Sequence, residues 1–142
     1  MDYLLGGALG FLVSFVFAIP AMILETKKHS SSHDVPLIVD AHKIFGRTFA
    51  HREAFLVGLL LHLFIGFLFG LFYVVFLEQG LRFWFVYAFL SWLVVGLVIY
   101  PVLRMGFFAH KEGTHVWLET LVSHLLLGAC LWGLLPYFLP SF

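Results

Sequence analysis

Four long runs of apolar residues, separated by polar connections, dominate the sequence. Each run is close to the roughly 20 residues that a helix needs to cross a bilayer. Because the hydrocarbon core offers the backbone no hydrogen-bond partners, these runs are predicted to be helices. The predicted spans cover residues of about 3–24, 54–77, 82–103 and 116–138. The sequence therefore predicts an all-α membrane protein in which residues 1–142 form a single four-helix transmembrane domain.

The three connections differ in length and in charge. The first, about 25–53, is long and polar, the second is a tight turn near Gly80, and the third covers about 104–115. With four spans, the first and third connections share one side of the membrane, and they hold seven of the eight Lys and Arg residues. Only Arg82 falls on the other side. The positive-inside rule then predicts that these two connections are cytoplasmic and that both termini lie outside the cytoplasm.

The amino-acid composition agrees with a membrane protein and argues against several other classes of protein. The chain is 62% hydrophobic and 11% charged, with a mean hydropathy of +1.02. A soluble domain of 142 residues could not bury so much apolar surface. The formal net charge is zero, so the charge balance does not indicate nucleic-acid binding. The single cysteine, Cys130, excludes an internal disulfide and any metal site that needs several thiolates.

Two short patterns each occur twice. Phe-Ala-His-basic-Glu occupies residues 49–53 and 108–112, and His-Leu-x-x-Gly occupies residues 62–66 and 124–128. Each half also places a proline near the cytoplasmic end of its first helix, at Pro20 and Pro101, and a proline in a spanning helix predicts a kink. We interpret these matches as two similar helical hairpins, related by a parallel pseudo-two-fold axis along the membrane normal. Chance similarity in a biased composition is the alternative.

His62 and His124 are the principal candidate functional residues. Both are predicted to lie near the middle of the bilayer at matching depths, where ionisable side chains usually face the bundle interior. Gly66 and Gly128 follow them on the same helical faces, and small residues there would let a second backbone or a flat ligand come close.

Three interpretations of this pair are open. The rings could hydrogen-bond across packed helices, they could be axial ligands of a b-type haem, or they could line a path for a proton, ion or solute. A bound metal ion is a further option, and no ligand set for it is evident.

The Phe-Ala-His-basic-Glu copies are predicted at the cytoplasmic entrances of the second and fourth helices. A Glu in a first helical turn favours the macrodipole, and a basic residue can meet anionic head groups. A His/Glu cluster that binds a metal or gates the inner rings is the functional alternative. Three extra residues, 113–115, separate the second copy from its inner histidine, so the copies are not equivalent. The candidate residues of these two motifs are His51, Glu53, His110 and Glu112.

Glu119 lies between the second copy and His124. It is five residues before His124, a step that does not keep to one helical face, so an interfacial position is favoured over a role as its partner.

The order of these features resembles that of small four-helix inner-membrane proteins of bacteria. The shared features are a Gly-Ala-rich first helix, the pattern of residues 58–66, the stretch from Pro101 to Ala109, and the His-Leu-x-x-Gly of the last helix. The resemblance implies a four-helix fold in a bacterial inner membrane and supplies no activity. The long connection of residues 25–48 departs from it.

No sequence motif assigns an enzyme class. The chain has no Gly-rich phosphate loop, no nucleophile elbow and no His-Glu-x-x-His. The leading expectation is a membrane binding or accessory subunit whose interior histidines hold a cofactor such as b-type haem. The alternatives are a small oligomeric transporter or channel, and an assembly subunit of a larger membrane complex. The expected partners are the lipid bilayer and either further copies of the chain or such a complex.

Overall fold

A computed structural model describes residues 2–27, 50–80, 82–111 and 113–138. Within these residues, the long elements are α1 (Asp2–Lys27), α2 (His51–Glu78), α3 (Trp84–Val94) and α5 (Val116–Phe138), with a short α4 (Tyr100–Val102). The described residues contain four helical stretches long and apolar enough to cross a membrane, which confirms the predicted all-helical class. Those stretches are Asp2–Pro20, Arg52–Glu78, Trp84–Val102 and Val116–Phe138.

The third span, Trp84–Val102, is not a regular α-helix throughout. A π-helical turn, Val95–Ile99, separates α3 from α4, and the Tyr100 N–H donates to the Val95 carbonyl. Pro101 follows Tyr100 directly, and it has no N–H to donate to a carbonyl of the preceding turn. A proline beside a widened turn is a common origin of local irregularity in a helix, and here it falls near the end of the span where the sequence predicts a kink.

Glycines bring α1 and α2 into direct backbone contact. An added Cβ at Gly10 would overlap the carbonyl oxygen of Gly66, and one at Gly6 would lie 2.8 Å from the carbonyl oxygen of Gly70. Ser14 of α1 is 2% exposed and packs against Gly66 in the same interface. The pairing of early α1 residues with late α2 residues makes the two helices antiparallel. Such close approach is available only where side chains are very small.

The main core lies toward the end of the bundle that carries the start of α1 and the end of α5. Aromatic side chains join α2 to α3 there: the Phe69 and Tyr87 rings meet edge to face at 4.8 Å, and the Tyr87 hydroxyl donates to the Phe69 carbonyl at 2.7 Å. The buried members of this core are Leu9, Phe69, Tyr73, Val74, Tyr87, Leu131 and Leu135.

The connection after the third span folds back onto it. Phe108 packs its ring against Trp92 of α3, with ring centroids 4.7 Å apart, and fills the space beside Gly96 in the π turn. Arg104, Phe108 and Ala109 adopt positive φ angles of 61°, 50° and 55°, which non-glycine residues rarely do. The fold-back therefore depends on tertiary contacts rather than on local backbone preference.

Candidate functional site

His62 hydrogen-bonds across the α1–α2 interface. Its Nε2 lies 3.2 Å from the carbonyl oxygen of Ser14. A carbonyl can only accept, so Nε2 is the protonated nitrogen of this ring and donates to Ser14. The bond joins α2 to α1 one helical turn from the Gly10–Gly66 contact, and it gives His62 a structural role in this hairpin.

The space beside His62 is filled by protein. The sequence predicts that Gly66 admits either a second backbone or the edge of a flat ligand. The structure places Ser14 and the Gly10 carbonyl there, the latter 2.9 Å from where a Cβ of Gly66 would stand. Gly128 similarly faces α3, where an added Cβ would stand 3.1 Å from the Cβ of Ala88. Both glycines therefore serve the approach of another helix.

His124 has a different set of neighbours. Its Nδ1 lies 2.8 Å from the carbonyl of Thr120, one turn earlier in α5, and its ring meets Phe69 of α2 edge to face at 5.7 Å. Donation from Nδ1 to a carbonyl leaves Nε2 of a neutral ring as the acceptor. His62 and His124 thus present opposite nitrogens for any further interaction.

The two rings also differ in level along the bundle. His62 is level with Ser14, whereas His124 packs against Phe69. Phe69 is seven residues after His62 in α2, which is about 10 Å along a helix axis. The two rings therefore make their contacts at different levels of α2. Equal distances from the start of each helix do not fix how far one helix is shifted against another.

The two Phe-Ala-His-basic-Glu copies have different local structures. In the first copy, Ala50 precedes α2, His51 begins it and Glu53 lies exposed in its first turn, as predicted for a helix entrance. In the second copy, residues Phe107–Ala109 form a 3₁₀ turn, and α5 begins only at Val116. The second copy therefore precedes the last helix without entering it, because Gly113 and the turn after it intervene.

Of the four candidate histidines and acids in these motifs, the structure describes the side chains of Glu53 and His110. The exposed His110 has its Nδ1 3.2 Å from the Phe107 carbonyl in its own turn. Glu112 lies outside the described residues. Within the described ranges, no group of three or more His, Cys, Asp or Glu side chains is placed to hold a metal ion. Glu119 is exposed in the first turn of α5, a placement in keeping with an interfacial carboxylate.

A polar contact that the sequence patterns do not predict joins α4 to α5. The Thr120 hydroxyl donates to the Val116 carbonyl at 2.6 Å, so its oxygen accepts from the Tyr100 hydroxyl at 3.2 Å. Tyr100 directly precedes Pro101, where the sequence predicts only a helix kink. A tyrosine among apolar residues near a helix end was the available signal, since its hydroxyl usually has a partner when buried.

The outward face of α5 carries small and polar side chains among bulky exposed ones such as Leu126 and Tyr137. Ser123 and Gly133 are exposed, and Cys130 is half-buried. The Ser123 hydroxyl donates to the Glu119 carbonyl of its own helix at 2.9 Å. Among the described residues, a Cβ at Gly133 would meet no atom within 4 Å beyond its chain neighbours and the adjoining backbone of its own helix. Steps of seven and three residues at about 100° per residue keep these three positions on one side of the helix. Opposite them lie the inward-facing Gly128, Leu131 and Leu135.

Comparisons with protein-family models, with curated proteins and with solved structures found no match to this chain.

Proposed function

We propose that this chain is an integral membrane accessory subunit that acts by associating with further copies of itself through the outward face of α5. The observation that carries the proposal is the set of small side chains there, Ser123, Cys130 and Gly133, with open space around Gly133. In lipid, helices associate where small residues let backbones approach. The same kind of close packing through small residues joins α1 to α2 within the molecule.

The burial of the spans also supports this choice. Within the most apolar window of each span, 39% of residues are buried in the first span, but only 17% in the third and in the fourth. The second hairpin therefore leaves the larger share of its surface for lipid or for a partner. On α5, part of that surface is glycine and serine rather than the bulky apolar residues that face lipid elsewhere.

The single cysteine tests the proposal directly. Oxidative cross-linking in native membranes is expected to convert most of the chain to a covalent dimer through Cys130, because two copies that pack on this face bring their thiols together. A matched control, Cys130→Ala combined with Leu60→Cys, moves the thiol to a position on α2 that is 67% exposed. That variant should stay monomeric. Equal cross-linking by both proteins would indicate random collision and reject the interface.

A cofactor-binding function is the second candidate, and the hydrogen bonds of the two rings favour His124 over His62 as its ligand. A histidine whose Nδ1 donates to a carbonyl presents Nε2 as a ligand, the arrangement common in metal and haem sites. His62 has its Nε2 engaged by Ser14 and cannot supply the opposite ligand without giving up that bond. A Soret band in the purified protein that is lost in His124→Ala and kept in His62→Ala would support this candidate. A colourless, metal-free preparation would exclude it.

A path for protons, ions or solutes along both histidines has less support than self-association or cofactor binding. The rings lie at different levels, and each already bonds a backbone carbonyl. The path hypothesis predicts pH-dependent flux in liposomes. Flux that is unchanged in His62→Ala and in His124→Ala would reject the hypothesis.

We also infer the orientation and the origin of the fold. The distribution of Lys and Arg supports a cell-membrane location with both termini outside the cytoplasm. The repeated Phe-Ala-His-basic-Glu and His-Leu-x-x-Gly patterns support duplication of a two-helix unit, and the feature order supports kinship with small bacterial inner-membrane proteins. Reporter enzymes fused in the third connection and at the C-terminus would decide the orientation.

A further inference from the structure

A cleft opens between the end of α2 and the end of α5. It has a volume of about 80 Å³, well above the roughly 10–15 Å³ that one water molecule requires. The cleft lies at the end of the bundle that carries the start of α1 and the end of α5, and its Tyr73 and Leu135 are eleven residues beyond His62 and His124 in their helices. Its walls are formed by Tyr73, Leu77, Arg82, Trp132, Leu135 and Pro136.

Tyr73 supplies an unsatisfied polar group at this place. The residue is 0% exposed, and its hydroxyl oxygen has no hydrogen-bond partner in the described part of the chain. The neighbouring Tyr87 ring lies 5.0 Å away, but its own hydroxyl is committed to the Phe69 carbonyl. Buried hydroxyls nearly always have a partner, since leaving one unpaired destabilises the fold. The orphaned hydroxyl therefore points to an occupant of the cleft.

Arg82 supplies the charge. It is exposed in the turn between α2 and α3, and among the described residues it has no ion pair. Glu78, the nearest carboxylate in sequence, instead accepts a hydrogen bond from the Tyr3 hydroxyl. The first turn of α3 begins two residues after Arg82, and the N-terminus of a helix adds further positive potential.

The remaining walls define what kind of anion fits. Trp132 is 54% exposed and flanks the cleft together with Leu77 and Pro136, so the opening is apolar on the side that would face lipid. Tryptophan is enriched at the level of lipid head groups. A guanidinium beside a hydroxyl suits the phosphate of an anionic lipid, whose acyl chains would lie along the apolar wall.

We propose that the cleft of Arg82 and Tyr73 binds a phosphate group, and specifically that of an anionic lipid in the leaflet at the terminal end of the bundle. Arg82 is the charged anchor, and the Tyr73 hydroxyl, which is covered in the unliganded chain, donates to a phosphate oxygen once the bound group displaces the side chains over it. The site does not depend on any cofactor at His124, and its two polar residues, Arg82 and Tyr73, lie outside α5.

Native mass spectrometry of the full chain in detergent tests this site, with phosphatidylglycerol, phosphatidylcholine and inorganic phosphate as separate probes. Phosphatidylglycerol is expected to bind one per chain. Arg82→Gln should weaken that binding roughly tenfold or more, the cost of losing a charge-assisted contact. Arg52→Gln, which removes an exposed arginine at the other end of the bundle, should leave it unchanged. Equal losses in the two arginine variants would overturn the proposal.

Tyr73→Phe provides a second test in which the ring and its packing are kept. The wild-type protein should gain thermal stability on addition of phosphatidylglycerol, and this gain should fall in Tyr73→Phe. An undiminished gain would show that the hydroxyl does not contact the ligand and would overturn its assignment. Arg82-dependent binding of inorganic phosphate without lipid binding would assign the site to a free anion. Binding of neither probe would reject the site.

Discussion

Gly10→Ala is expected to destabilise the purified protein by about 2–3 kcal/mol or more, the upper part of the range for overpacked positions. The added methyl would overlap the carbonyl oxygen of Gly66 and would stand 2.9 Å from the Cα of Gly70. Both neighbours are backbone atoms of α2, so no rotation of a side chain can relieve the collision. The helices must separate, and the contacts of Ser14 with Gly66 and His62 would be lost with them. Equilibrium unfolding in mixed micelles, followed by circular dichroism, measures the change.

Gly133→Ala is the matched control for this variant. It makes the same chemical change in another membrane-spanning helix, where the new methyl meets nothing within 4 Å. Its unfolding free energy in detergent should equal that of the wild type or exceed it slightly, because alanine is the better helix former. If Gly10→Ala were as stable as Gly133→Ala, the close approach of α1 and α2 would not exist in the protein.

A reporter enzyme fused after Phe142 is expected to be fully active, and the same enzyme in the third connection is expected to be inactive. Alkaline phosphatase, which needs disulfides to become active, should be active at this position because an oxidising compartment lies outside the cytoplasm. The same enzyme inserted after Lys111 should be inactive. The reason is that the first and third connections hold seven of the eight Lys and Arg residues, and retention of Lys- and Arg-rich loops sets the orientation.

A fluorescent protein that becomes fluorescent only in the cytoplasm should give the opposite result. It should be fluorescent after Lys111 and dark after Phe142. Arg82→Gln is the charge control for orientation: it removes the one basic residue on the other side and should leave both patterns unchanged. Active phosphatase after Lys111 would reverse the orientation and would move the Arg82 cleft to the cytoplasmic leaflet.

The long elements could be predicted because the signal for a spanning helix is local. A run of about 20 apolar residues is sufficient to predict such a helix, because in lipid the backbone N–H and C=O groups must hydrogen-bond to each other. Thus the last span, predicted as about 116–138, corresponds to α5 at Val116–Phe138. Irregularity near Pro101 was also predictable, because proline leaves one backbone acceptor without its usual donor.

The side-chain arrangement around the histidines could not be predicted in the same way. A helical wheel places Gly66 on the face of His62, but it does not reveal which helix covers that face or at what level. The partner of His62 is a backbone carbonyl of α1, at a residue 48 positions away in the chain. The different nitrogens used by His62 and His124 follow from these neighbours, and one sequence pattern therefore occurs in two chemical settings.

The second Phe-Ala-His-basic-Glu copy shows a further limit of sequence reasoning. Phe108 and Ala109 have positive φ angles, although neither residue type favours them. Their conformation is held by the contact of Phe108 with Trp92 and Gly96, which are 16 and 12 residues earlier in the chain. The repeat in sequence consequently predicts similar ancestry better than similar geometry.

The unequal lengths of the helices have a consequence for the surrounding bilayer. α2 has 28 residues and extends about 42 Å, whereas the third span, shortened by the fold-back that begins after Val102, has 19 residues and extends about 28 Å. A hydrocarbon core about 30 Å thick matches the shorter helix, so α2 must tilt or project beyond it. Lipids that touch the two sides of this protein therefore meet different hydrophobic thicknesses. The membrane around it is expected to be thinner beside the third span than beside α2.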